Sequence, residues 1–147
     1  MFVRIVLAVV AFGFGLGTAL SQQDPVQTRE DMMKKSNDHA IAVVQMMRRQ
    51  RPFDAAAVDA AFKQWAEAAQ ILPSLFPENS KSGGDNRASP KIWVNKADFD
   101  AKAAAFAKAV MENRDKAKSS LDGLGAAIPA VGKACDDCHK EYRLSKQ

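Results

Sequence analysis

Four stretches of this chain place apolar residues at helical spacing, and none alternates them at the two-residue spacing of a half-buried strand, so the fold is restricted to packed helices. The first stretch carries Val26, Met33, Ala40, Val44 and Met47 along one face, entered through Asp24 as cap and Pro25 at the first helical position. The second opens on Phe53, Asp54 and Val58, an N-cap flanked by a hydrophobic staple, and continues as Val58, Phe62, Trp65, Ala69 and Leu72 until Pro73 stops it. The third starts near Asn95, with Val94 and Phe99 placed as a second staple, and buries Phe99, Ala103, Phe106 and Val110. The fourth follows residues 119–125 and carries Ile128, Val131, Cys135, Cys138 and Tyr142. Each apolar stripe needs another to cover it, which predicts an all-α fold, an antiparallel four-helix bundle.

Residues 1–21 read as a secretory signal peptide: Arg4, then an apolar run from Ile5 to Leu16 broken only by glycines, then Ala19 and Ser21 ahead of cleavage before Gln22. The run is shorter than the ~20 residues a membrane span needs. Residues 22–147 then form one exported domain, without stable membrane insertion. The net charge of +4 counts the leader's Arg4, and Lys and Arg are spread among Asp and Glu, which argues against a nucleic-acid partner. Lys34, Lys35, Arg48, Arg49 and Arg51 read as solvated positions. The connection over 73–94 is long for a compact bundle, and its Leu75, Phe76, Ile92 and Trp93 predict that it is packed down.

Cys135, Cys138 and His139 spell C-x-x-C-H, the attachment signature of a c-type haem. Positions i, i+3 and i+4 share a helix face, so two thiols and an imidazole meet one flat ligand. A redox dithiol would want a βαβ context, and structural zinc would want four ligands where the only other Cys or His is His39. His39 is six residues beyond Met33, well round the helix from it, and reads as a surface histidine. Most of the methionines read as core filler.

The run Cys135 to Arg143 near the C-terminus of a four-helix chain resembles the class II c-type cytochromes, the cytochrome c-prime family. Three more segments resemble it: Arg29 to Met33, the Arg-Pro-Phe-Asp at 51–54, and Arg87 to Trp93 ending in Pro-Lys-Ile-Trp. Together they cover essentially the whole mature chain. The resemblance implies one covalently bound haem c per chain, joined through Cys135 and Cys138, with His139 as proximal iron ligand. It implies Met33 over the distal face, four residues after Arg29, with Arg29 reaching a haem propionate; Met32 is the candidate if the register slips by one. Arg143 would lie by the imidazole or simply cap the helix dipole, and Trp93 would border the haem or anchor the loop. The runs at 75–80 and 83–87 look like the low-spin His/Met branch, whereas other members are five-coordinate with Met at the same position. The implied function is a periplasmic monohaem electron carrier, not an enzyme, with a five-coordinate protein binding NO or CO as the alternative. Redox protein partners are implied, and a homodimer through the first two helices is allowed.

Overall fold

The computed structural model describes residues 24–145, so the expected signal peptide at 1–21 and its expected cleavage before Gln22 lie outside the described residues. Helices α1 (Pro25–Met47), α2 (Ala55–Ile71), α4 (Lys96–Ser119) and α5 (Leu121–Tyr142) form the bundle, and a single helical turn, α3 (Lys91–Val94), precedes α4. Among the described residues no helix is long and apolar enough to cross a membrane.

The caps follow the side-chain chemistry. Asp24 Oδ1 accepts from Val26 N at 2.9 Å, and Asp54 Oδ1 accepts from Ala56 N and Ala57 N at 2.9 and 3.0 Å, each satisfying amides that have no partner within the first turn. Phe53 packs on the core group that contains Val58, so the first staple forms. The second does not. Val94 is 87% exposed, because α3 ends at Asn95, whose φ of −125° and ψ of 54° turn the chain before α4 and aim Val94 outward.

Two further boundaries differ from expectation. On α1 the buried residues towards the C-terminus are Val43 and Met46, while Val44 and Met47 are 37% and 36% exposed. Val26 to Val44 is about five turns and so keeps one angle on the helix, but the seam between bundle helices has a shorter period and drifts round it. The last helix begins at Leu121 rather than beyond Gly125. Ser120 alone joins α4 to α5, its Oγ accepting from Gly123 N at 3.0 Å, and a Cβ on Gly123 would stand 2.3 Å from Lys116 O. Pro129 lies inside α5.

The core divides in two. The larger group runs between α1, α2, α4 and α5 and includes Met46, Val58, Phe62, Val110, Leu124 and Val131. The smaller one, Leu72, Ile92, Phe99 and Tyr142, receives half-buried Met32, Met33, Phe76, Ala88, Trp93 and Cys138. The connection after α2 is packed down as its apolar residues require, through short 3-10 turns at Leu72–Leu75 and Glu78–Ser80.

Candidate haem site

Cys135, Cys138 and His139 are all half-buried on α5. Cys138 packs on the smaller core group, which also takes Met32 and Met33 from α1. The fold therefore brings Cys138 of the α5 motif together with Met32 and Met33 of α1. His39 lies half-buried further along α1, six residues beyond Met33.

Both thiols are held protonated. Burial pushes Cys135 up to about 11, with Asp136 and Cys138 adding to it, and burial likewise raises Cys138, with Lys102 opposing and Asp98 assisting. A dithiol redox centre works through a lowered thiol pKa, so the electrostatics here oppose that use. His139 moves downward: burial is the main cause, Arg143 adds to it, Asp136 opposes and Arg87 adds again. An imidazole neutral at pH 7 keeps a nitrogen lone pair available to a metal.

An aromatic wall backs the cluster. Phe76 meets Phe99 edge-on at 4.8 Å between centroids, and Phe99 meets Tyr142 at 5.3 Å. Tyr142 is anchored by its hydroxyl, which donates to Asp98 Oδ2 at 2.5 Å. Trp93 meets Phe76 at 5.7 Å and donates from Nε1 to Pro77 O at 3.2 Å, contacts that fasten the loop.

Arg29 is 6% exposed and turned into the loop. Its Nη1 donates to Leu75 O at 2.8 Å and Ser80 Oγ at 3.1 Å; its Nη2 donates to Ser80 O at 2.8 Å and Asn86 Oδ1 at 2.9 Å. Those four bonds occupy every N–H of the two terminal nitrogens, leaving only Nε–H for any further acceptor. The expectation that Arg29 reaches a propionate therefore meets a guanidinium already committed to the polypeptide. Gly84, at a φ of +54°, brings the loop onto α1, where a Cβ would come within 3.2 Å of Glu30 Oε1. On the other side, Arg143 stands where α5 ends, its amide donating to His139 O at 3.1 Å. Its backbone forms an isolated antiparallel bridge with Ala88. Ser80, Asn86, Arg87 and Ser89 lie in the runs at 75–80, 83–87 and 87–93 that carry the family resemblance, but the sequence reading gives them no individual role, since isolated polar residues in a loop carry no periodic signal.

The donor set is two thiols and a neutral imidazole on one helix, with soft thioethers on another and aromatic rings behind. α1 and α5, which carry these donors, touch each other little, in contrast to the close pairing of α4 with α5. A large apolar macrocycle holding iron suits both the donors and the lining. The class so defined is the helical-bundle proteins with covalently attached haem. Residues 24–143 match the family model described as Cytochrome C', and the chain belongs to that family, whose members carry a single covalently attached c-type haem. It is 38% identical over 144 residues to cytochrome c-556 of Rhodopseudomonas palustris, covering 95% of this chain and 96% of the relative. Among solved structures, cytochrome c' from the same organism superposes with a TM-score of 0.80 at 32% identity, covering 86% of this chain and all of that one. The structure of oxidised cytochrome c556 gives 0.77 at 38% identity, again over 86% and 100%.

Proposed function

We propose that this chain is a periplasmic single-electron carrier whose haem is joined through Cys135 and Cys138, with His139 as proximal ligand and the Met33 sulfur as distal ligand. The observation that carries this is the packing of Met33 and Cys138 on one buried group from two different helices. The haem, when bound, supplies reversible one-electron exchange at iron; the chain holds it, excludes water and fixes the two donors. A thioether favours the reduced metal and fills the coordination site, so the potential rises and little rearrangement accompanies transfer. Catalysis of bond chemistry has no place in this reading. The leader at 1–21 and the single domain at 22–147 agree with export, and Ile41, Val44 and Met47, exposed along α1, offer an apolar face for a homodimer.

Replacing Met33 with Ala tests the ligation. The expected result is loss of the ferric methionine-to-iron charge-transfer band, conversion to high spin and rapid carbon monoxide uptake. An absorption spectrum identical to that of the unaltered protein rejects Met33 as ligand. The likeness to a cytochrome c' favours a second reading, in which Met33 only crowds a five-coordinate iron that takes NO or CO; a high-spin spectrum of the unaltered protein selects it.

A further inference from the structure

The geometry points to the segment from Leu75 to Ser89 as a strap that spans from the α1 turn bearing Met33 to the α5 turn bearing His139, with Arg29 and Asn86 as its positioning residues. This rests on the placement of Met33 and His139 on the two sides of the haem.

The strap can be followed bond by bond. It starts at Arg29, one turn before Met33 on α1, whose guanidinium binds Leu75 O, Ser80 and Asn86 Oδ1. Asn86 is the junction. The same Oδ1 accepts from Ala88 N at 3.1 Å, while Nδ2 donates to Lys81 O at 2.9 Å and Ser80 O at 3.3 Å, so one amide side chain ties the Arg29 end to the following residues. From there the backbone pairs with the chain leaving α5: Ser89 N donates to Tyr142 O at 3.0 Å and Leu144 N to Arg87 O at 2.8 Å. Arg87 closes the pairing, with Nε and Nη2 both donating to Leu144 O at 3.1 and 2.9 Å. The far end is Arg143, whose amide holds His139 O one turn back.

α1 and α5 have few direct contacts, so their spacing beside the site is not set by interdigitated side chains. The strap supplies that restraint. Its polar atoms are a charged donor and neutral acceptors in a half-buried setting, where hydrogen bonds to ionised groups are the stronger kind. An iron–thioether contact is sensitive to how far the sulfur stands from the metal, so a loosened strap weakens the distal contact while the thioether bonds and the proximal imidazole stay in place.

The test is the holoprotein carrying Asn86→Ala, with Arg29→Lys as second variant because Lys keeps the charge but cannot fork to four acceptors. Both should retain attached haem and helical content. Carbon monoxide binding to the ferrous form should be faster by about tenfold, the weight of one charge-assisted hydrogen bond, and the ferric charge-transfer band should weaken. Carbon monoxide rates equal to those of the unaltered protein in both variants, even with a lowered melting temperature, would show a merely structural loop and overturn the strap. The two readings fail separately: an unaltered protein without the ferric band refutes Met33 ligation, and uptake in Asn86→Ala should then still be faster because a loosened strap lets Met33, no longer a ligand, stand back from the distal face.

Discussion

The turn between α4 and α5 makes Gly123 and Gly125, two residues apart in one helix, respond oppositely to the same substitution. A Cβ at Gly123 would meet Lys116 O at 2.3 Å and Ser119 Oγ at 2.7 Å, whereas at Gly125 nothing lies within 4 Å. The carbonyl belongs to the backbone of α4 and cannot swing aside, so Gly123→Ala forces the two helix ends apart. Such overpacking costs about 1–3 kcal/mol. The gain in helix propensity returns about 1 kcal/mol at most, and the first turn of a helix receives less of it than the interior. A net loss of about 1–2 kcal/mol follows, which with an unfolding entropy near 2.1 cal/mol/K per residue lowers the melting temperature by roughly 4–8 °C for a domain of about 120 residues. Gly125→Ala, open to the added methyl, gains up to about 1 kcal/mol and should melt roughly 4 °C higher. Thermal unfolding of the holoprotein followed by far-ultraviolet circular dichroism reads both, and the visible spectrum should stay unchanged. Equal melting temperatures for the two variants would refute the close approach of α4 and α5 at this turn.

Removing the cap in Asp54→Ala should cost about 1 kcal/mol, seen as a lower urea midpoint at unchanged slope, since two amides of α2 lose their acceptor. Tyr142 titrates at about 12 in the folded protein, raised by burial and by its hydrogen bond to Asp98, against about 10 in the unfolded chain. The folded state thus prefers the protonated phenol: its contribution is complete below pH 10 and is lost as the pH rises through 12. Urea unfolding compared between the unaltered protein and Tyr142→Phe should show a stability difference that shrinks over that window, and a constant difference would discount the buried hydroxyl.

The parts of this fold that could be read in the sequence are those fixed by neighbours along the chain. Asp24 with Pro25, Asp54 with Phe53, the whole stripe from Val58 to Leu72, and the C-x-x-C-H run all act over a few residues, where helical geometry alone dictates the outcome. What escaped depends on distant partners. Arg29 finds its acceptors 46 to 57 residues away, and no spacing rule links it to Ser80 or Asn86. The sequence reading starts the last helix only after residues 119–125; that Gly123 lies within the helix depends on the approach of Lys116 O, which leaves no room for a side chain there. The slip from Val44 to Val43 on α1 has the same origin, since the direction in which α1 meets its neighbours belongs to the assembled bundle.

The separation of the core into two groups lets stability and tuning evolve at different rates. Phe62, Leu124 and Val131 hold the helices together away from the methionines, while Met33, Phe76 and Trp93 gather on the smaller group. Exchanging a side chain in the smaller group leaves the packing of the larger one intact, so the lining beside Met33 and Cys138 can be rebuilt at little risk to the bundle. One backbone can then carry differently lined sites.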